Sequence, residues 1–336
     1  MTNKKSTIYD LAALAQVSAS TVSAILNGTW RQRRISADTA RRVQHLAQAH
    51  QFNINRQASG LRKMRSGMIG MIVPLHDNRY FSSMSQTFER MARERQWCPI
   101  VASTLRDPAL ELDTVNTLIS YRVEYLVVAG ATDPDSISRL CSSHGVAHVN
   151  VDLPGVLTPS VISDNRWGAE RLTDALIARS RPSTDPRRDR IHFLGGLATD
   201  HSTRSRIDGF MAAVQAAFGC FDAAQVDACG YEADLAEHAL RRLMGRLGGL
   251  PRGLLVNSTI AFEGALQVLK TIPLAELRQT VIGCYDWDPF ATCLSFPLLM
   301  VRQDVDAMIG EAFKIIDSGV FERGKVIEIK PRLMLE

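Results

Sequence analysis

The sequence predicts an α/β protein with a small all-α head and a larger body made of two doubly wound parallel-sheet lobes. Two features of the pattern support this prediction. Before residue 52, three short helical patterns follow one another, and each opens with a residue that caps helices. After Met68, short apolar runs alternate with amphipathic stretches, which is typical of parallel strands joined by helices. A body of about 270 residues suits two such sheets better than one.

The overall composition is that of a water-soluble globular protein. Of the 336 residues, 46% are apolar and 22% are charged, and no run approaches the roughly 18 consecutive apolar residues that a membrane span needs. The N-terminus lacks the basic stretch and apolar run of a signal peptide, so we expect a cytoplasmic protein without a membrane partner. The six cysteines are scattered without metal-site spacing, and we expect reduced thiols, no metal and no cofactor.

The net charge of +4 conceals a strongly basic N-terminal segment. Residues 1–66 contain eleven Lys and Arg against two Asp, a balance of +9, whereas the remaining residues hold 28 basic and 33 acidic groups, a balance of −5. Such a segment is expected to meet a polyanion, and nucleic acid is the partner that this charge pattern favours. A solvated basic face without a partner is the alternative.

Three helices are predicted in the head. Thr7 can cap the first, with Asp10 reaching back to complete a capping box. Ser18 caps the second helix and Ser36 the third. The short turn at Gln16 sets the first two helices at a steep angle, as in a helix-turn-helix, so that the second can enter a major groove. The groove-facing residues of this helix are Ala19, Ser20, Ser23 and Ala24.

The head also carries a longer signature. It runs through Ile8-Tyr9-Asp10-Leu11-Ala12 and then Val17-Ser18-x-x-Thr21-Val22-Ser23-x-x-x-Asn27. With these residues the chain resembles the lactose-repressor/galactose-repressor (LacI/GalR) family of bacterial transcription regulators. The resemblance implies DNA contacts from two groups of side chains. Bases are read by Ala19, Ser20 and Ala24, and phosphates are held by Thr21, Ser23 and Asn27 beside the capping Ser18. Because Ala24 offers only a methyl group, its expected contact is apolar, for instance with a thymine.

Two details distinguish this head from other members. Gln16 stands where the tight turn often has glycine, a difference that costs up to about 1 kcal/mol if the residue is left-handed. The loop before Ser36 contains Trp30-Arg31-Gln32-Arg33-Arg34, and its length is similar to that of the fructose-repressor and catabolite-repressor/activator branch. We expect Arg33 and Arg34 to meet the DNA backbone, and the alternative is a solvated loop.

Residues 53–66 form a polar, basic linker with Leu61 near its middle. A short segment that also contains Gly60 is expected to be disordered alone and to become helical when DNA and a second copy of the chain supply contacts. In the family the matching leucine wedges between base pairs in the minor groove, and the resemblance gives that role to Leu61. The other hinge residues in the predicted DNA-binding set are Asn55, Arg56 and Ala58. An inert tether is the alternative.

The body resembles the two-lobed periplasmic sugar-binding-protein fold that this family shares. The predicted domains are the head at 1–52, the hinge at 53–66 and the body at 67–336. One lobe comprises about 67–162 and 303–325, and the other about 163–302 and 326–336. The candidate strands are Met68 to Val73, Pro99 to Ser103, Tyr125 to Ala129, Ala147 to Val151, Ile191 to Leu194, Leu254 to Val256, Val281 to Tyr285, Leu299 to Val301 and Val326 to Ile329.

Polar and aromatic side chains follow several of these strands, at the sheet edge where ligands collect in such folds. Carboxylates, arginines and an aromatic face are what a polyhydroxylated ring needs. By resemblance, Arg206 is the ligand-gripping arginine and Asp286 the acid that takes ligand hydroxyls, with Asp288 as the alternative acid. The predicted effector-binding residues are Asp77, Asn78, Tyr80, Phe81, Asp152, Ser202, Arg204, Arg206, Tyr231, Ser258, Asp286 and Gln303.

The sequence therefore predicts a DNA-binding repressor controlled by a small-molecule effector, a sugar or sugar phosphate. A purine or other metabolite acting as corepressor, or activation at some promoters, is the alternative. No leucine heptad follows the last strand, so we expect a homodimer on a roughly palindromic double-stranded operator. A transport receptor is disfavoured by the basic head. An enzyme is disfavoured because no dinucleotide, phosphate-loop or G-x-S-x-G motif is present.

The hinge interpretation predicts the effect of Leu61→Ala. This change should lower operator affinity measurably, since each unstacked base step involves a few kcal/mol. The body should still fold and bind effector, because the leucine is expected to be buried only in DNA. Fluorescence anisotropy with labelled operator measures the affinity, and an unchanged value would contradict the wedge role.

Overall fold

The computed structural model describes residues 7–50, 52 and 66–334, and contacts divide the chain into two units, 1–66 and 67–336. The hinge residues of the predicted DNA-binding set, Asn55, Arg56, Ala58 and Leu61, lie outside the described residues.

The head contains three helices, α1 (Ile8–Leu14), α2 (Ala19–Leu26) and α3 (Ala37–Ala49). The capping box is present, since the Thr7 N–H donates to the Asp10 carboxylate at 2.7 Å and the Asp10 N–H donates to the Thr7 hydroxyl at 3.3 Å. Ser18 and Ser36 cap α2 and α3 in the same way, each accepting from the backbone three residues on. The apolar faces of the three helices meet in one small core that includes Leu11, Val22, Ile25 and Val43.

The turn between α1 and α2 contains Gln16 at a φ of +52°, the left-handed conformation in which a glycine would be unstrained. The two helices are bent by 103° relative to each other, which is the steep angle that the sequence predicts. Among the described residues no single helix is long and apolar enough to cross a membrane. Only α1 and α2 counted together have the length and apolar composition of a membrane span, and these two helices form the bent pair just described.

Two six-stranded sheets form the framework of the body. The order is β13-β5-β4-β3-β1-β2 in the first and β14-β12-β11-β10-β6-β8 in the second, and β14 is the antiparallel strand. A separate antiparallel pair joins β7 to β9. The strands are β1 (Met68–Val73), β2 (Cys98–Ser103), β3 (Tyr125–Ala129), β4 (Ala147–Val151), β5 (Ser160–Ser163), β6 (Ile191–Leu194), β7 (Gly196–Leu197), β8 (Val226–Asp227), β9 (Cys229–Gly230), β10 (Gly253–Val256), β11 (Val281–Tyr285), β12 (Leu298–Arg302), β13 (Val326–Ile329) and β14 (Arg332–Met334).

Helices cover both faces of each sheet. The body helices are α4 (Arg79–Glu94), α5 (Pro108–Ser120), α6 (Pro134–Ser143), α7 (Asn165–Arg179), α8 (His201–Phe218), α9 (Ala233–Leu247), α10 (Thr259–Leu269), α11 (Leu274–Leu277) and α12 (Val305–Ser318). Successive strand residues serve opposite faces, as a pleated strand requires. In β1, Met71 packs with α4 and α12, whereas Ile72 packs with α5 and α6. In β10, Val256 packs with α9 and α10, whereas Leu255 packs with α7 and α8.

The last crossing between the lobes lies later in the chain than the sequence analysis predicts. The strand Val326–Ile329 was assigned to the second lobe, but it pairs in parallel with Ser160–Ser163 in the first sheet. Only Arg332–Met334 joins the second sheet, beside β12. The assignment was wrong because an apolar alternation identifies a strand without identifying its sheet. The crossing is made at Lys330 and Pro331, and the proline lacks the N–H that would continue a ladder.

The tight packing of α8 against α7 predicts opposite effects of the same substitution at two helical glycines. A Cβ at Gly209 would overlap the carbonyl oxygen of Arg166 and lie 2.9 Å from the backbone nitrogen of Glu170, whereas a Cβ at Gly245 would meet nothing within 4 Å. Gly245→Ala should stabilise the protein by about 0.5–1 kcal/mol through helix propensity. Gly209→Ala should destabilise it by about 1–2 kcal/mol, because overpacking outweighs that gain.

Thermal denaturation of both variants beside the wild type measures the two shifts. A stabilising Gly209→Ala would show that the two helices can separate without cost.

Candidate functional site: the head surface and the cleft between the lobes

The predicted DNA-reading face of α2 is only partly exposed. Ser20 is exposed and Ala19 is half-buried, but Ala24 is 4% exposed. The expected presentation of Ala24 to a groove is therefore wrong for this structure. The loop after α2 turns back at this residue, where the Thr29 N–H and hydroxyl donate to the Ala24 carbonyl at 2.9 and 3.3 Å.

Hydroxyl groups cluster at the N-terminal end of α2. The Ser18 hydroxyl lies 2.8 Å from those of both Ser20 and Thr21. At the other end, the Asn27 amide donates to the Ser23 carbonyl at 2.8 Å and reaches the Ser23 hydroxyl at 3.2 Å. Hydroxyls beside the positive end of a helix dipole suit contacts with phosphate oxygens.

The arginines of the loop before α3 are exposed. Arg31 stacks over the Trp30 ring at 5.1 Å, while Trp30 and Ile35 anchor the loop on the head core. In the described part of the head, neither Arg33 nor Arg34 has a carboxylate within ion-pair distance. Uncompensated guanidiniums on a surface loop are suited to a polyanion.

In the body, one cleft between the lobes collects most of the predicted effector residues. They stand where the carboxyl ends of the parallel strands of both sheets meet. The predicted residues that line the cleft are Asn78, Tyr80, Phe81, Asp152, Ser202, Arg206, Tyr231, Ser258, Asp286 and Gln303.

Two predicted residues lie elsewhere. Arg204 is exposed and does not line the cleft, because it is two positions from both Ser202 and Arg206 on α8, and residues two apart face different sides of a helix. Asp77 is exposed in the loop before α4. The alternative acid Asp288 pairs with Arg79 at 2.8 Å and caps a short 3-10 turn, so Asp286 is the acid in the cleft.

Arg206 is a buried cation, 3% exposed, fixed in one orientation. Its Nε donates to the Asn165 side-chain oxygen at 2.8 Å and its Nη1 donates to the Asn257 carbonyl at 2.6 Å. The guanidinium lies 3.7 Å from the centre of the Tyr285 ring. Burial alone would lower the pKa of Arg206, but nearby groups, Asp286 foremost, raise it above its ordinary value, so the charge is retained.

Asp152 and Asp286 occupy matching places in the two lobes. Each directly follows a central strand, β4 or β11, with a left-handed φ of +75° or +74°. Asp152 accepts the Tyr80 hydroxyl at 2.9 Å, and Asp286 accepts the Gln303 amide at 2.6 Å. Burial raises the pKa of Asp152 to about 6 against the opposing pull of Arg206, and burial likewise raises the pKa of Asp286. The cleft thus holds a carboxyl group from each lobe near one guanidinium.

Two charged residues of the cleft were missed by the sequence analysis. Asp200 caps α8 and accepts hydrogen bonds from the hydroxyls of Tyr231, at 2.5 Å, and Thr203, at 3.0 Å. Arg106 lies in the loop after β2. Arg106 lies just beyond the end of a strand, as Asp152 and Asp286 do. The sequence pattern therefore contained a signal for this residue as well.

The cleft also contains buried polar atoms that the described residues leave without hydrogen-bond partners. They include the Nε of Arg106 and the Oε1 of Gln303. Buried polar atoms in folded proteins are nearly always paired with protein or water, and such atoms in a cleft point to a ligand that completes them. Together with the carboxyl groups, they suit a molecule that carries several hydroxyl groups.

Comparisons with known proteins agree with this geometry. The family model described as periplasmic binding proteins and sugar binding domain of LacI family matches residues 66–281, and the model of bacterial regulatory proteins, lacI family, matches residues 7–55. The chain is 55% identical over 177 residues to the ribitol operon repressor of Klebsiella aerogenes, which covers 53% of this chain and 66% of that protein. It is 29% identical over 305 residues to the sucrose operon repressor of Klebsiella pneumoniae, covering 90% and 89% of the two chains.

Solved structures show the same fold at lower identity. The lac repressor dimer bound to operator and the anti-inducer ONPF superposes with a TM-score of 0.78 at 19% identity, covering 99% of this chain and 98% of that chain. The Cra transcriptional dual regulator from Pseudomonas putida, in complex with fructose 1-phosphate, gives 0.70 at 20% identity, covering 80% and 98%. Since the family models cover both the helical head and most of the two-lobed body, the chain belongs to the LacI family of bacterial regulatory proteins.

Proposed function

We propose that this protein is a cytoplasmic, non-enzymatic repressor whose operator affinity is controlled by a neutral polyol bound between the lobes of the body. The observation that carries the proposal is the set of groups in the cleft. Carboxyl groups from both lobes surround one fixed guanidinium, and further polar atoms lack partners. Hydroxyl groups both donate to carboxylates and accept from guanidiniums, so a polyol satisfies this set.

The charge balance of the cleft favours a neutral ligand over a phosphorylated one. Its lining contains three carboxyl groups, of Asp152, Asp200 and Asp286, against the guanidiniums of Arg106 and Arg206. A phosphate would add up to two negative charges to a site that already has an excess of acid, and like charges at short range are costly when they are buried. Of the sugar and sugar-phosphate effectors that the sequence allows, the unphosphorylated class therefore fits better.

The identity of the polyol is suggested by the relative at 55% identity, which is named for the ribitol operon. Ribitol is uncharged and carries five hydroxyl groups on an open chain, so it can meet carboxyl groups on two opposite walls at once. We therefore infer that ribitol, or a closely related pentitol, is the effector of this protein.

The DNA side of the proposal rests on the head. The hydroxyls at the start of α2 supply phosphate contacts, as do Arg33 and Arg34, which form no ion pair with the described residues of the head. Ala19 and Ser20 face the bases. Two heads in a homodimer would read a roughly palindromic operator. Effector changes DNA affinity only if it binds one arrangement of the lobes more tightly than another, and a ligand held by both walls of a cleft meets that requirement.

Ribitol should release the protein from its operator. The operator is first recovered by repeated selection of bound DNA, and fluorescence anisotropy then follows its release as pentitols are added. We expect release by ribitol at a concentration at least about 10-fold below that of ribitol 5-phosphate, since burying an unpaired charge costs more than 1.4 kcal/mol. Release by the phosphorylated compound alone would contradict a neutral effector.

Loss of the fixed guanidinium should separate effector response from DNA binding. Arg206→Ala should lower the melting temperature, because the buried Asp286 loses its cation. The protein that remains folded should still bind operator but need roughly 30-fold to 1,000-fold more effector, because a charge-assisted bidentate contact contributes about 2 to 4 kcal/mol. Arg206→Lys keeps the charge without the planar fork and should also respond weakly.

The exposed Arg204 provides the matched control, and Arg204→Ala should respond like the wild type. Thermal denaturation identifies any variant that fails to fold. A folded Arg206→Lys that switched at the wild-type concentration would show that Arg206 only supports the structure.

A further inference from the structure

Arg106 is held in the cleft by aromatic rings of both lobes. Its guanidinium carbon lies 4.7 Å from the centre of the Tyr231 ring, in the second lobe, and 5.7 Å from that of Phe81, in the first. The residue itself belongs to the first lobe, in the loop between β2 and α5. Arg106 therefore bridges the two walls of the cleft through ring contacts.

The donors of this guanidinium remain unused. No hydrogen bond or ion pair from Arg106 to another described residue is present, and its Nε is buried without a partner. Arg206 differs, because two of its nitrogens donate to fixed protein oxygens. A guanidinium that packs on rings, which accept none of its N–H groups as ordinary hydrogen bonds, can still donate those groups to a ligand. Arg106 is thus a donor group of the cleft to which none of the described residues offers a hydrogen-bond acceptor.

The backbone at this position is strained. Leu105 and Arg106 have left-handed φ values of +54° and +57°, a conformation that costs non-glycine residues of order 1 kcal/mol or more each. The Leu105 N–H donates to the Pro74 carbonyl at 2.8 Å and the Asp107 N–H donates to the Thr104 carbonyl at 2.9 Å, which hold the loop in this shape. Strain of this kind persists where the surroundings enforce it, commonly at ligand clamps.

We propose that Arg106 is a specificity-determining residue of the effector site, which donates hydrogen bonds to ligand hydroxyl oxygens while it contacts the Tyr231 ring of the opposite lobe. This inference rests on the proposed function, because it takes the cleft as the polyol site. The carboxyl groups supply acceptors for the ligand, and Arg106 supplies donors from the wall opposite Arg206. Arg106 already contacts the Tyr231 ring. A ligand held by Arg106 therefore adds to a contact that joins the two walls, so effector binding favours the arrangement of the lobes in which these two residues touch.

Replacing Arg106 with glycine distinguishes a ligand-binding arginine from one that only supports the structure, because of the left-handed backbone at this position. Glycine adopts a φ of +57° without penalty, so Arg106→Gly relieves strain while it removes the ring contact, and the two effects are of similar size. The melting temperature should stay within about 3 °C of the wild type. Ribitol affinity, measured by isothermal titration calorimetry on the full chain without DNA, should fall about 10-fold to 100-fold.

Two further variants complete the series. Arg106→Lys keeps the charge but loses the planar fork, and should also bind ribitol more weakly. Arg204→Ala removes an exposed arginine that does not line the cleft and should bind ribitol as the wild type does. Combining Arg106→Gly with Tyr231→Leu should cost less affinity than the sum of the two single changes, because each change removes the same contact across the cleft.

The outcomes separate this inference from the proposed function. A wild type that bound no pentitol would overturn both. A wild type that bound ribitol, together with a folded Arg106→Gly of equal affinity, would overturn only the role of Arg106. Loss of both melting temperature and affinity in Arg106→Gly, with both retained in Arg106→Lys, would show a structural arginine and would overturn it as well.

Discussion

The buried guanidinium of Arg206 is the interaction on which the body depends. A cation that is 3% exposed is tolerated only where hydrogen-bond acceptors and opposite charge surround it. Asn165 at the start of α7, the Asn257 carbonyl after β10 and the Tyr285 ring in β11 supply those contacts. Three segments of the second lobe are therefore fixed around one side chain, and Asp152 of the first lobe faces the same charge. Binding chemistry and lobe arrangement share this centre.

The close packing of α8 against α7 in the second lobe also positions Arg206. Arg206 and Gly209 lie one helical turn apart on α8, and the glycine lets α8 approach the backbone of α7. Since α7 begins at Asn165, the partner of Arg206, the distance between these helices sets the distance between the two side chains. The absence of a side chain at Gly209 thus helps to set the distance between Arg206 and Asn165.

Much of the fold could be predicted because its signals are local. The capping box of Thr7 and Asp10, the caps at Ser18 and Ser36, and the apolar runs of the central strands depend on residues close in sequence. Short edge elements such as β8 and β9, two residues each, carry too little periodicity to be recognised. The sheet to which Val326–Ile329 belongs depends on distant pairing, and the apolar pattern of the strand is compatible with either lobe.

The sequence pattern also identified part of the candidate site. Asp152 and Asp286 were found because carboxyl ends of parallel strands converge. Arg204 does not line the cleft, because helical spacing decides which side chains of α8 face it. Ala24 is buried, which the spacing along α2 alone does not reveal. Arg106 follows the end of β2, but a lone arginine in a loop is most often a solvated surface charge, so its sequence position alone does not identify it as a cleft residue. Its two ring contacts join residues that are far apart in sequence, and only the fold brings them together.

Strained backbone conformations and buried polar atoms without hydrogen-bond partners occur together at this cleft in the described part of the chain. Leu105, Arg106, Asp152 and Asp286 are all left-handed just after strands, and atoms of Arg106 and Gln303 are buried without a hydrogen-bond partner in the described part of the chain. Each of these features lowers the stability of the empty protein, and a ligand that fills the cleft can relieve the unmet hydrogen bonds. Because the groups come from both lobes, that relief is complete only when both walls reach the ligand. If the cleft binds the effector as proposed, ligand affinity would differ between arrangements of the lobes, and such a difference is what a ligand-controlled regulator requires.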